Sequence, residues 1–292
     1  MNILITGSSS GFGKLIANSL LADGHNVAAA MRDATGRNLA SAEALRKAGA
    51  IIVEIDVTEE SSVNSGVADA VDQLGSLDVL INNAGIGVHG LQEAFTIDDF
   101  QKLFDVNLFG VQRMNRAVIP HMRRQGHGLL VYVSSLLGRV TLPFYGPYNA
   151  SKWALEALAE NYRSELSVDG IGSALIEPGG FKTDFMSSLL RPGDTERLAS
   201  LSHMSGAPEQ AFAAFDDVLA QNPQQDPQLV ADAVLAVVNA APGERPFRTE
   251  VDTLGMAAAI GPYNRQLDDV TRGLYEAFGM GDMLSAKRPA SV

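Results

Sequence analysis

Short apolar runs without polar alternation recur along the chain, each followed by a longer segment with helical residue spacing, and this order limits the possible fold. The runs are residues 3–5, 27–31, 51–55, 79–81, 129–133 and 174–176. Continuous apolar, β-branched runs are typical of strands buried on both faces. The helical segments between them are long enough to return the chain parallel to itself, and they span 14–22, 38–48, 59–74, 100–122 and 153–166. The sequence therefore predicts an α/β fold with a doubly wound parallel sheet.

Length and composition favour one large domain. With 46% hydrophobic and 19% charged residues, the 292-residue chain has an ordinary globular composition. We expect a single domain over 1–292, in which 184–227 form a partly helical apolar lobe that closes over a site. A helix near 228–239 and a strand near 247–251 would complete the sheet, and 252–292 would form a C-terminal extension.

Charge, cysteine content and hydropathy exclude several kinds of protein. The 22 basic and 34 acidic side chains give a formal net charge of −12, which disfavours nucleic acid as a partner. There is no cysteine, and the five histidines show no metal-ligand spacing, so no metal site is expected and only His89 is a candidate pocket residue. Residues 2–7 resemble a strand entering a glycine turn rather than a signal peptide, and no segment approaches the roughly 18 apolar residues of a membrane span. We expect a cytoplasmic protein without a membrane partner.

A glycine-rich loop follows the first predicted strand and opens the first predicted helix. It reads Thr6-Gly-Ser-Ser-Ser-Gly-Phe-Gly13. Backbone N–H groups of such a loop bind a dinucleotide pyrophosphate, and its place directly after a strand favours this over a simple small-residue turn. It does not end in the Gly-Lys-Ser/Thr sequence of a P-loop. Too few residues precede it to supply the oxyanion hole of a G-x-S-x-G nucleophile elbow. The predicted contacts are Gly7, Ser9, Ser10, Gly11, Phe12 and Gly13.

The end of the second predicted strand bears on which dinucleotide binds. NAD-binding folds place an acidic residue there for the ribose 2′-hydroxyl, whereas this chain has Met31 followed by Arg32. Arg32, with Ser10 beside it, would bind a 2′-phosphate, so NADP(H) is favoured over NAD(H). The alternative is a solvated Arg32 paired with Asp33. After the third strand, the residues expected beside the adenine are Asp56 and Val57.

Two residues in a predicted helix have the spacing of an acid–base pair. Tyr148 and Lys152 are four apart, so they project from one helical face. A phenol has a pKa of about 10, and Coulomb attraction to an ammonium about 4 Å away is large enough to lower that pKa towards neutrality. Such pairs also occur by chance on exposed helices.

Further polar and small residues follow the predicted strands at the edge where open α/β sheets bind ligands. Ser135 follows the fifth strand, and Asn83, Ala84 and Gly85 follow the fourth. Asn107 lies on the apolar stripe of segment 100–122, so its amide must find buried partners. Helix capping, turn formation or a structural water would explain these residues without any chemistry.

Together these motifs resemble the short-chain dehydrogenase/reductase family over about the first 185 residues. They comprise the glycine loop, 82–85, Asn107, Ser135, Tyr148 with Lys152, and Pro178-Gly179 with Thr183. The resemblance implies a Rossmann fold and hydride transfer between a nicotinamide and a carbonyl or alcohol carbon. It also implies that Tyr148 donates or accepts the proton, Ser135 binds the reacting oxygen, Lys152 binds the nicotinamide ribose and Asn107 anchors a water. The residues implied to bind the nicotinamide end are Tyr148, Lys152, Pro178, Gly179, Phe181 and Thr183.

The substrate side is apolar. Between Ser135 and Tyr148 stand Leu136, Leu137, Val140, Leu142, Phe144 and Tyr145. They favour an apolar ketone or aldehyde and its alcohol, unless they pack against one another or a neighbouring subunit. The resemblance is to an NADP-preferring branch acting on steroids, retinoids or aromatic ketones, and it implies a homodimer or homotetramer. The alternatives are an NAD(H)-dependent dehydrogenase of the same family, a non-catalytic NADP-binding regulator and a serine hydrolase using Ser9.

Overall fold

One parallel sheet forms the centre of the molecule. The computed structural model describes residues 1–286, so the end of the expected C-terminal extension, 287–292, lies outside the described residues. The strands are β1 (Asn2–Ile5), β2 (Asn26–Met31), β3 (Ile51–Glu54), β4 (Val79–Asn82), β5 (Gly128–Val133), β6 (Ile171–Pro178) and β7 (Arg248–Val251). Their order is β3-β2-β1-β4-β5-β6-β7, with parallel pairing throughout the described sheet. The predicted doubly wound α/β fold is confirmed.

Helices cover both faces of the sheet. They are α1 (Gly11–Ala22), α2 (Leu39–Lys47), α3 (Glu60–Leu74), α4 (Ile97–Phe104), α5 (Gly110–Gln125), α6 (Gly146–Glu165), α7 (Thr195–Ser200), α8 (Ala207–Gln221), α9 (Gln228–Asn239) and α10 (Met256–Ala277). Successive strand side chains point to opposite faces, so Ile3 and Ile5 join a core with α1, α2 and α9, whereas Leu4 joins a second core with α3, α5 and α6. Burial on both faces explains the continuous apolar runs. Within residues 1–286, no helix combines the length and apolar character needed to cross a membrane.

The prediction of one continuous helix over 100–122 is wrong. Helix α4 begins earlier, after a capping box formed by Thr96 and Asp99, and a π-helical turn at Asp105–Phe109 joins it to α5. Such π turns are rare and often mark functional sites. Helix α6 also begins earlier than predicted, at Gly146, with Pro147 in its first turn. Proline suits a first helical turn because its fixed φ and missing N–H cost nothing there. Tyr148 therefore lies at the start of α6.

Residues 184–227, called the lobe below, are partly helical. They contain a 3₁₀ turn (Asp184–Ser188), α7, a second 3₁₀ turn (Ser202–Met204) and α8. The lobe is joined to the segment after β4 by a parallel bridge between Val88 and Leu190. It therefore lies over the carboxyl edge of the sheet, where β4 ends.

Candidate active site

A cleft of about 790 Å³ lies along the carboxyl ends of the strands, at the point where the strand order reverses between β1 and β4. Asn107 does not line this cleft, whereas every other residue predicted to be catalytic or to bind the cofactor does. These are Gly7, Ser9, Ser10, Gly11, Phe12, Gly13, Arg32, Asp56, Val57, Asn83, Ala84, Gly85, Ser135, Tyr148, Lys152, Pro178, Gly179, Phe181 and Thr183.

The glycine loop is locked against the segment after β4. The Thr6 hydroxyl accepts hydrogen bonds from the backbone N–H groups of Asn83 at 3.1 Å and Ala84 at 3.0 Å. The Asn83 amide donates to the carbonyl of Thr6 at 2.9 Å and to that of Gly7 at 3.1 Å. A Cβ on Gly13 would stand 2.2 Å from the Gly7 oxygen, so only glycine fits there. The loop then opens α1, whose N-cap Ser10 makes no side-chain capping bond. Close backbone approach and a helix N-terminus fit a bound pyrophosphate.

The end of the cleft beside β2 carries two arginines. Arg32 pairs with Asp56 at 3.6 Å rather than with Asp33, whose carboxylate turns back to accept the backbone N–H of Arg37 at 2.9 Å. Burial raises the pKa of Asp56, but hydrogen bonds from Thr58 and the charge of Arg32 outweigh it and hold that pKa below its ordinary value. Arg37 and Asn38 also line this end, and sequence reasoning missed both because they lie in an irregular turn after the strand.

Ser135, Tyr148 and Lys152 meet where β5 ends. The Ser135 hydroxyl accepts the backbone N–H of Leu137 at 3.1 Å and donates to the Pro178 carbonyl at 3.4 Å, and it lies close enough to the Tyr148 hydroxyl to act on the pKa of that group. The Lys152 ammonium donates to the Val133 carbonyl at 2.8 Å and lies 5.6 Å from the centre of the Tyr148 ring. The three side chains come from two segments that pack together at the sheet edge.

The expected depression of the Tyr148 pKa is wrong, since the structure shifts that pKa upward. Burial raises the pKa of Tyr148 to about 12, and the neighbouring Ser135 hydroxyl only partly opposes this. Burial also lowers the pKa of Lys152 to about 8, although the carboxylate of Glu156 opposes that change. Desolvation by burial is the largest cause for both groups. Tyr148 therefore holds its proton throughout the neutral range.

Asn107 lies one layer behind the cleft, in the π turn. Its amide oxygen accepts the backbone N–H of Ile86 at 2.9 Å, while its amide nitrogen donates to the Ile86 carbonyl at 2.9 Å and to Ser151 at 3.1 Å. The Ser151 hydroxyl in turn donates to the Tyr148 carbonyl at 2.8 Å. Asn107 thus connects the segment after β4 to the first turn of α6. Its role in anchoring a water stays a prediction.

Four charged residues form a buried charge cluster beneath these segments, and sequence reasoning missed it. Arg139 pairs with Glu156 and, at 3.2 Å, with Glu177, while Arg248 pairs with the same two carboxylates at 3.3 Å and 3.4 Å. All four are buried. Arg139 lies four residues after Ser135, Glu156 four after Lys152, and Glu177 directly before Pro178. No local pattern connects these positions, because the fold alone brings them together.

The far end of the cleft is apolar. It is lined by Leu136, Leu137, Leu142, Pro143, Phe144, Tyr145, Phe185, Met186, Leu189, Ala211 and Phe215. The lobe approaches so closely that a Cβ on Gly87 would stand 2.5 Å from Leu189 and from Phe185. The Phe185 ring lies 5.9 Å from that of Tyr148. His89 does not line the cleft; it is buried behind this wall and accepts a hydrogen bond from Arg191 at 2.8 Å.

Comparison with known proteins identifies the family. A family model described as short chain dehydrogenase matches residues 1–192. The chain belongs to the short-chain dehydrogenase family. The predicted family membership is therefore confirmed, and with it the assignment of the chain as an oxidoreductase of this family, in which the cofactor is NAD(P).

Relatives of this short-chain dehydrogenase cover most of its length. It is 33% identical over 254 residues to a 3-ketodihydrosphingosine reductase of Bacteroides thetaiotaomicron, covering 86% of this chain and 88% of that protein. It is 33% identical over 266 residues to retinol dehydrogenase 8 of Bos taurus, covering 86% of this chain and 81% of that protein. The crystal structure of a short-chain dehydrogenase from Streptomyces avermitilis is 26% identical, with a TM-score of 0.73 over 96% of this chain and 99% of that one.

Proposed function

We propose that this short-chain dehydrogenase uses NADP(H) to interconvert an apolar ketone or aldehyde and the corresponding alcohol, with Tyr148 as the acid–base residue. The observation that carries the proposal is the position of the Tyr148 hydroxyl. It lies beside Ser135, at the junction between the glycine-loop part of the cleft and its apolar end. The names of two relatives, a reductase of a keto compound and a dehydrogenase of retinol, support carbonyl–alcohol chemistry.

The cofactor supplies hydride, and the protein supplies orientation and the proton. In reduction, Tyr148 gives its hydroxyl proton to the substrate oxygen, and its raised pKa keeps that proton in place beforehand. Ser135 donates a second hydrogen bond to the same oxygen. The Lys152 ammonium, 5.6 Å from the phenol ring, stabilises the phenolate that forms. In alcohol oxidation the same groups act in reverse.

The preference for NADP(H) rests on the charges around the end of β2. Met31 ends the strand, Asp33 is engaged within its own loop, and Arg32 and Arg37 line the cleft. Two guanidinium groups suit a 2′-phosphate, whereas an available carboxylate would repel it. Asp56 neutralises part of the Arg32 charge, so Arg37 carries a share of the phosphate binding.

A tyrosine pair tests the proton role. Tyr148→Phe should lower kcat for a model aromatic ketone by at least about a hundred-fold, because it removes the proton donor, while the Kd for NADPH changes little. Tyr145→Phe is the matched control, since Tyr145 lines the cleft but has no lysine four residues on. Near-native turnover in the Tyr148 variant would refute the assigned role.

Arginine substitutions test the choice of cofactor. Arg32→Ala with Arg37→Ala should raise the Kd of NADPH roughly 10- to 100-fold, because charge-assisted hydrogen bonds to phosphate are lost. The Kd of NADH should change much less, and isothermal titration would measure both. Equal losses for the two dinucleotides would favour the NAD(H) alternative.

A homodimer or homotetramer and a cytoplasmic location stay predictions, which sedimentation and cell fractionation would test.

A further inference from the structure

A second apolar groove adjoins the proposed substrate site. It encloses about 710 Å³ on the other side of residues 142–144 and is called the second groove below. Its apolar lining comprises Leu91, Leu142, Pro143, Phe144, Trp153, Leu201 and Met204, and its polar margin includes Gln92 and Glu93. Part of this lining comes from the lobe and part from α6. The groove therefore shares the lobe and residues 142–144 with the apolar end of the cleft.

A wall one segment thick separates the two spaces. Leu142, Pro143 and Phe144 line both the cleft and the second groove. Phe144 has a φ of 73°, in the left-handed region that a bulky residue rarely occupies. Its carbonyl is fixed by the backbone N–H of Gly90 at 2.9 Å. Leu142 is 42% exposed at the crest of the wall, so a continuous apolar surface leads from one space to the other.

The cleft alone has little room for a large substrate. Its 790 Å³ must hold the dinucleotide as well as the reacting group, since its lining runs from the glycine loop to the lobe. Ligand sites for a single small molecule already occupy roughly 300–1,000 Å³. An extended substrate therefore has to leave the cleft, and the crest formed by Leu142 and Pro143 is an apolar exit.

The second groove also gathers apolar side chains that are otherwise unusual on a surface. Trp153 is 41% exposed and Met204 is 39% exposed, and both face this groove together with Leu201. Scattered exposed apolar residues need no explanation, but a contiguous apolar patch marks a binding surface. Continuity with the cleft makes the substrate its occupant.

We propose that the second groove binds the apolar tail of a long-chain substrate whose carbonyl, near one end of the molecule, reacts at Tyr148. The inference rests on the proposed function and deepens it, because it converts a general apolar ketone into an extended, lipid-like one. Tail and carbonyl are then held on opposite sides of the 142–144 wall.

A series of methyl n-alkyl ketones with NADPH tests the proposal by kinetics. Once the tail passes the wall, kcat/KM should rise about two- to four-fold for each added methylene, as expected for burial of apolar surface. The ratio of kcat/KM for the longest to the shortest ketone should fall at least about ten-fold in Trp153→Ala and in Met204→Gln. Phe278→Ala is the control, because Phe278 is exposed outside both spaces and its ratio should stay at the wild-type value.

Fluorescence gives a readout that does not depend on turnover. Trp153 is the only tryptophan in the chain, so its emission reports on the second groove alone. With NADP⁺ bound, which has no hydride to give a ketone, long-chain ketones should shift the emission to shorter wavelength as the tail displaces water from the indole. Ketones too short to cross the wall should leave it unchanged, and Met204→Gln should weaken the long-chain response.

The outcomes separate this inference from the function on which it rests. Turnover of short ketones with a flat dependence on chain length and no shift of Trp153 emission would overturn the second groove as a tail site while leaving the enzyme proposal intact. Loss of turnover for every ketone would refute the proposed function itself. A Trp153→Ala protein with wild-type length preference but a smaller mass in sedimentation would assign the groove to a second copy of the chain, and the inference would then be wrong.

Discussion

Replacing Lys152 with methionine should change how the stability of the protein depends on pH. The pKa of Lys152 falls from its ordinary 10.5 to about 8, because burial disfavours the ammonium form. One pKa unit corresponds to about 1.4 kcal/mol, so keeping this buried lysine charged costs the folded state about 3 kcal/mol at pH 7. Methionine has a similar length and no charge, and it removes that cost.

The sign follows from proton binding. Between about pH 8 and pH 10.5 the unfolded chain holds the Lys152 proton more tightly than the folded protein does. Stability therefore rises with pH in this window, because the cost of the buried charge is fully present below about pH 8, where both states are charged, and is lost above about pH 10.5, where both are neutral. Between pH 7 and pH 9.5, the difference in free energy of unfolding between the wild type and Lys152→Met should change by about 2 kcal/mol in favour of the wild type.

Urea unfolding at several pH values between 7 and 9.5 measures this difference directly. Subtracting the variant from the wild type cancels the other titrating groups. Tyr148→Phe is the control, because the Tyr148 hydroxyl has a pKa of about 12 in the folded protein and stays protonated over this range. Wild-type and Lys152→Met curves that run parallel would refute the reasoning, since Lys152 would then have an ordinary pKa in the folded protein.

Two further substitutions test the supports of the site. Gly13→Ala should cost about 1–3 kcal/mol of stability and weaken dinucleotide binding, since its Cβ would stand 2.2 Å from a backbone oxygen. Gly273→Ala is the control, with nothing within 4 Å of its Cβ, and thermal unfolding would show it neutral or slightly stabilised. Arg139→Met should cost about 3–5 kcal/mol in urea unfolding, because it leaves Glu156 and Glu177 short of a cation. A cost below about 1 kcal/mol would contradict that account.

The fold was predictable because its signals are local. Apolar runs of three to five residues predict strands buried on both faces, and each matches a strand of the sheet to within a few residues. The sequence signal of the glycine loop is equally local, because Gly7 and Gly13 belong to the same turn between a strand and a helix. The π turn at Asp105–Phe109 was not predictable, because its sequence has ordinary helical spacing and the deviation follows from where Asn107 finds its partners.

The site was predictable as a set of residues and less so as an electrostatic environment. Tyr148 and Lys152 do share a helical face, as their spacing requires. The direction of the Tyr148 pKa shift was predicted wrongly, because the Lys152 charge is visible in the sequence whereas the desolvation of both groups follows only from the fold. Arg37 was missed because its place in the cleft depends on a turn held by Asp33, which has a φ of 49°.

The buried charge cluster explains why the site segments keep one relative position. Arg139, Glu156 and Glu177 belong to the segments that carry Ser135, Lys152 and Pro178, and Arg248 on β7 closes the set with two further ion pairs. An apolar core would tolerate small sliding of these segments, whereas a buried ion pair loses most of its attraction when it is stretched while its desolvation cost remains. Movement of any one segment therefore disturbs charges on the other two. Glu156 also opposes the loss of the Lys152 proton, so the cluster that positions the ammonium helps to keep it charged.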